Sequence, residues 1–166
     1  EYVELDLSNP PKFVWVTTSA QARDMLAKND DIDMVICMYN VGDKDVFTFA
    51  SELKQESRHI PFVLLTHFSK EIYRRTALQD TSAVDYMFSW HGNADLIVAI
   101  IKLFEDLKNA ENDIIDKGVQ AILLVEDSVR FYSTYLPELY KLILKQSSEF
   151  LKETLNEQQR KFRKRS

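Results

Sequence analysis

The sequence predicts an α/β protein, a doubly wound five-stranded parallel sheet with helices on both faces, three layers in all. Three observations carry that expectation. Short apolar runs alternate with longer amphipathic stretches, the pattern of parallel strands joined by crossover helices. The runs are apolar throughout rather than alternating with polar residues, as strands buried on both faces are. Three Gly and four Pro in 166 residues are too few for a disordered, collagen-like or all-β meandering chain.

The elements follow in order. Residues 1–11, EYVELDLSNPP, alternate Val3, Leu5 and Leu7 with Glu4 and Asp6, and are set apart as an N-terminal arm or edge strand ending in a breaker cluster. KFVWVT, 12–17, is the next strand, and SAQARDMLAKN, 19–29, a helix with Ser19 at or near its N-cap. DMVICM, 33–38, is a strand. DVFTFASELKQES, 45–57, is a helix that spaces Val46, Phe49, Ala50 and Leu53 for one buried face, with Asp43 or Asp45 at its start. PFVLLT, 61–66, is a strand whose proline fits only at the entry. A helix over 69–80 and a strand over 83–88 come next, then the amphipathic helix 94–110, with Leu96, Ile97, Ile100, Ile101 and Phe104 toward the core. VQAILLV, 119–125, is a further strand. From Ser128 a helical stripe of Phe131, Tyr135, Leu139, Leu142, Ile143, Phe150, Leu151 and Leu155 runs almost to the end, and Pro137 should kink or break it.

The totals bound the function. The length suits one domain plus an extension. The single cysteine, Cys37, excludes an internal disulfide framework and a Cys-based zinc site, and suits a reducing, cytoplasmic setting. No apolar run approaches the roughly 18 residues of a membrane span, so no membrane association is expected. The net charge of −5 makes nucleic acid a poor candidate partner, although the last seven residues, RKFRKRS, hold five positive charges and no negative one. That tip reads as a solvated helix end. No Gly-rich phosphate loop, GxSxG or HExxH occurs, and no small-molecule substrate is expected.

DIDMVICMYNVGDKDVFTFASELK, HIPFVLLT, and SAVDYMFSW followed by a hydrophobic helix carry a likeness. Through them residues 12–110 resemble the bacterial response-regulator receiver domain from its second strand onward. The resemblance implies a flavodoxin-like strand order of 2-1-3-4-5, with the first strand central. It also implies a third strand ending in the phosphoacceptor Asp, a fourth ending in Thr or Ser, and a fifth ending in Lys followed by cis-Pro. The family's first strand and helix are missing from 12–110, and AILLVEDS with VRFYSTYLPELYKLIL is similar to them. The expectation is a receiver-like domain over 12–145 whose first strand and helix come from 119–145, either circularly permuted within one chain or domain-swapped between two. The linker ENDIIDKG can span the distance of about 15 Å from the end of the preceding helix. Residues 146–166 form a C-terminal helix extension with the basic tip. The stretch 119–166 is also similar to the start of a second, tandem receiver, which suggests a piece of a longer signalling protein. Such tandem receivers resemble the N-terminal region of some bacterial proteins related to phosphoenolpyruvate synthase and pyruvate phosphate dikinase.

Receiver chemistry needs a carboxylate nucleophile, Mg²⁺ held by that group and two further acids, a hydroxyl and a Lys. By the resemblance, Glu126 and Asp127 match the acidic pair and Thr66 the hydroxyl, whereas Met38 holds the phosphoacceptor position, Ser89 the Lys position and Trp90 that of the Pro. A thioether can neither accept a phosphoryl group nor bind Mg²⁺ usefully, so the pocket is degenerate, no catalytic residue or cofactor is expected, and at most weak Mg²⁺ binding falls to Glu126 and Asp127. The expected function is a non-phosphorylatable pseudo-receiver, not an enzyme in itself, that acts as an interaction or regulatory module in two-component-type signalling. An alternative is a phosphorelay receiver whose Asp acceptor lies in downstream sequence. A third is a small α/β enzyme that uses Cys37 with His67 or His91, each near the carboxyl end of a strand. Protein partners or self-association are expected through the 69–110 face, with Tyr73, Tyr86 and Trp90, or through the C-terminal helix, with Phe150 and Leu155.

Overall fold

The computed structural model describes residues 11–56, 59–67, 74 and 76–163, with side chains in the last helix described through Phe150 and at Lys152 and Glu153. The expected arm over 1–11 lies outside these residues except at residue 11; of the helix expected over 69–80, residues 74 and 76 are helical, 77–80 are turn and irregular chain, and the rest lie outside the described residues. The chain divides into two compact units, Val14–Ala94 with Ile122–Ser133, and Glu1–Phe13 with Asp95–Ala121 and Thr134–Ser166.

The first unit is built on a parallel sheet. Its elements are α1 (Ser19–Lys28), β1 (Val35–Met38), β2 (Asn40–Val41), β3 (Lys44–Asp45), α2 (Val46–Gln55), β4 (Phe62–Thr66) and β5 (Tyr86–Ser89). The sheet order is β1-β4-β5, with Val35 paired to Phe62 and Met38 to Leu65 on one side of β4, and Val63 paired to Tyr86 and Thr66 to Ser89 on the other. All five residues of β4 are buried, as its continuous apolar run requires of a central strand. Phe62 and Leu64 point to one face, where they meet Val46, Phe49, Ala50 and Leu53 of α2 and Leu26 of α1. Phe49 packs edge-on against Phe62 at 5.8 Å between ring centroids. The spacing of the α2 residues is the one the sequence predicts.

Both helices begin where side-chain oxygens can take orphan backbone donors. Thr18 Oγ1 accepts from Gln21 N–H at 3.2 Å, one residue before the expected cap, and Asp45 Oδ2 accepts from Thr48 N–H at 2.9 Å. Arg23 of α1 pairs with Glu52 and Glu56 of α2, and Lys44 Nζ reaches Glu52 at 2.7 Å. Pairs of this kind are screened by solvent and contribute little to stability.

The described sheet therefore has three strands where five were expected. Residues 11–16 and 118–128 contain no helix or strand. Their apolar side chains face outward: Trp15 is 87% exposed and Leu123 88%. The reason is partnership. Strand preference is a preference for packing and pairing against neighbours, and an apolar run without a neighbouring strand does not become one.

The second unit holds α3 (Ala94–Glu111), a single π-helical turn (Asn112–Asp116) and the greater part of α4 (Val129–Arg163). Leu96, Ala99 and Ile100 form the buried stripe of α3, and Leu136 is buried on α4. Tyr140 Oη donates to Asp106 Oδ2 at 2.7 Å, which ties the two helices together. Ser128 caps α4, its C=O accepting from Tyr132 N–H at 2.9 Å. Of the kink or break expected at Pro137, a break does not occur, since α4 runs through it. Among the described residues no helix is long and apolar enough to cross a membrane.

Candidate functional site

Parallel strands deliver their last residues to one margin of the sheet, and here that margin carries Met38, Thr66 and Ser89. Thr66 is the register partner of Ser89 across β4 and β5, while Met38 sits beside Leu65. The three positions named from the sequence are thus brought together. Thr66 and Ser89 are buried, and Met38 is 39% exposed. Thr66 Oγ1 makes a long contact of 3.4 Å with His67 C=O, and Ser89 Oγ lies 3.4 Å from His91 Nδ1. These three residues supply two hydroxyls and a thioether and no ionised group.

The two matching acids stand elsewhere. Glu126 and Asp127 are exposed in the irregular stretch before α4. Glu126 Oε1 accepts from Ser128 N–H at 2.9 Å, so it closes a turn at the helix start. Among the described residues no hydrogen bond or ion pair joins either acid to Met38, Thr66 or Ser89, and no group of three or more His, Cys, Asp or Glu side chains is placed to hold a metal ion.

Two other acids lie next to β1 in sequence, and each has structural work. Asp43 accepts from Ser19 N–H at 2.8 Å, Ser19 Oγ at 2.9 Å and Ala20 N–H at 3.3 Å, which makes it a second cap on α1. The backbone bond from Ser19 is the main reason its carboxyl is held below the usual carboxylate range. Asp45 caps α2 and also lies 3.4 Å from Gln79 Nε2. Both belong to the β2–β3 hairpin, in which Asn40 pairs with Asp45 and Val41 with Lys44. The sequence reading passed over this hairpin, although its two-residue Gly42-Asp43 loop is a hairpin signal. Beside it an open groove of about 430 Å³ is lined by Tyr39, Asn40, Val41, Lys44, Asp45, Leu78 and Gln79. Its lysine is engaged by Glu52.

Cys37 lies inside β1, its Sγ 3.4 Å from Met38 C=O, and neither His67 nor His91 is its hydrogen-bond partner. Burial pushes its thiol up to about 11, so it is protonated at neutral pH and a weak nucleophile.

Of the expected partner surface, Tyr86 and Trp90 are half-buried. Tyr86 stacks on Phe88 at 6.3 Å, and Phe88 stacks on Tyr132 at 5.4 Å. Burial, with a smaller contribution from Tyr86, pushes the Tyr132 phenol up to about 12. Phe150 is 71% exposed on α4. Tyr73 and the side chain of Leu155 lie outside the described residues.

Comparison with protein-family models, with curated proteins and with solved structures finds no match for this chain.

Proposed function

We propose that the chain is a receiver-like module that cannot be phosphorylated and works by binding protein, as an interaction or regulatory element of two-component-type signalling in the cytoplasm. The observation that carries this reading is the composition of the strand-end margin. Met38, Thr66 and Ser89 align at the carboxyl ends of three parallel strands, where an acceptor carboxylate, a hydroxyl and a lysine would be needed for phosphoryl chemistry, and only the hydroxyl is there. Neither Asp43 nor Asp45 substitutes, because both carboxylates are committed to helix caps.

The same reading treats the three described strands as the third, fourth and fifth of a 2-1-3-4-5 sheet, and residues 119–125 as the first strand, which the edge of β1 lacks. The exposed aliphatic side chains of that stretch support the assignment, since they need a cover that the sheet can provide. The test is a thermal-shift measurement with Mg²⁺ and beryllofluoride, which mimics the phosphoryl group on a receiver aspartate. The expected result is an unchanged unfolding midpoint. A saturable, Mg²⁺-dependent rise would overturn the proposal.

A further inference from the structure

We infer that the outer edge of β1, which no described strand pairs with, is a docking site for a second copy of this chain, and that residues 122–125 of that copy add to it as a strand, reciprocally. The inference rests on reading 119–125 as the sheet's missing strand, and it adds which molecule supplies that strand.

The edge itself is the first observation. Val35 N–H donates to Pro61 C=O at 2.9 Å and Tyr39 N–H to Leu65 C=O at 3.0 Å, so residues 35, 37 and 39 turn their backbone groups toward β4. Ile36 and Met38, alternating with them, turn theirs outward, where among the described residues no further strand follows. Natural edges are blunted by charge, proline or a bulge. Val-Ile-Cys-Met has no charge and no proline.

The segment is the second. Ile122, Leu123, Leu124 and Val125 are 70, 88, 41 and 84% exposed. In a strand successive side chains point to opposite faces, so four consecutive aliphatic residues are suited only to a strand covered on both sides. A sheet edge that no described strand covers and an unpaired apolar segment meet each other's need, with backbone hydrogen bonds supplying the contact.

The fastening of α4 decides between the two sources of the strand. Trp90 N–H reaches Thr66 C=O at 2.8 Å, so Ser89 N–H, one residue earlier, points away from β4. Ser133 Oγ accepts it at 2.8 Å, and Tyr132 stacks on Phe88. The helix that residues 122–125 lead into is thus held at the outer edge of β5, across two strand spacings, about 10 Å, from β1. Bringing the same chain's segment onto β1 pulls against that fastening. A second copy's segment approaches that edge with the fastening intact, and mutual exchange closes a two-fold dimer.

The test is sedimentation velocity of the full chain across a concentration series, with hydrogen exchange read at residues 36, 38 and 122–125. The expected result is a concentration-dependent dimer in which those amides exchange slowly, while in the monomer they exchange fast. Leu123→Lys, a change at a side chain that is solvated in the single copy, should abolish the dimer and leave the monomer's circular dichroism and unfolding midpoint in place. If that variant fails to fold, exchange in the unmodified dimer decides. A monomer at every concentration with slow exchange at 122–125 would mean that the chain fills its own slot, and would overturn the inference. So would a monomer with fast exchange, or a dimer that survives Leu123→Lys. A beryllofluoride response overturns the functional proposal and leaves these outcomes as they are, so the two failures are distinguishable.

Discussion

Asp43 shows how a residue that looks like a reagent is spent on architecture. Its carboxylate takes two backbone N–H groups and a hydroxyl at the start of α1, and these bonds depress its pKa. A depressed carboxylate contributes stability that is complete above its unfolded-state value, near ~3.9, and is lost as pH falls through the lower folded value. Asp43→Asn should therefore lower the unfolding midpoint at pH 7, and the difference from the unmodified protein should narrow below about pH 4. Cys37 titrates with the opposite sign. Its thiol is raised to about 11 by burial, so its contribution is complete below the ordinary value of about 8.5 and fades as pH rises toward the folded value. Iodoacetamide should label it slowly in the folded protein at pH 8 and rapidly in urea. Rapid labelling of the folded protein would revive a nucleophilic role.

Individual elements were legible from the sequence to the extent that their neighbours are local. The strands expected over 33–38, 61–66 and 83–88 form as Val35–Met38, Phe62–Thr66 and Tyr86–Ser89, since each is an apolar run flanked by turn residues and each has a partner in the sheet. The start of α2 at Asp45 and that of α4 at Ser128 were legible because a cap is a contact between residues two to four apart. The runs 12–17 and 119–125 have the same composition and are not strands, because pairing is a property of two segments and the sequence shows one at a time. The site was legible in the same measure. Counting to the strand ends found Met38, Thr66 and Ser89, whereas the irregular placement of Glu126 and Asp127 depends on where a whole segment docks. At this scale the link between Ser133 and Ser89 is the contact to break. Ser133→Ala leaves a buried N–H of β5 without its acceptor and should cost about 1–3 kcal/mol, read by urea denaturation. A cost near zero would mean that α4 is not held at that edge.

At the scale of the molecule, the sheet unit is a parallel sheet with a buried core on α1 and α2, and among the described residues no strand pairs with the outer edge of β1. Its strands end on the uncharged side chains of Met38, Thr66 and Ser89, and Asp43 and Asp45 cap helices. On the proposed reading such a margin binds and packs without an acceptor carboxylate for a phosphoryl group. The most direct measurement is intact mass after incubation with acetyl phosphate and Mg²⁺. The expected result is an unchanged mass and, in the variant Met38→Asp, a mass shift only under conditions where residues 119–128 have docked on the sheet. A phosphoryl increment on the unmodified chain, mapped to an aspartate at a strand end, would contradict the proposal.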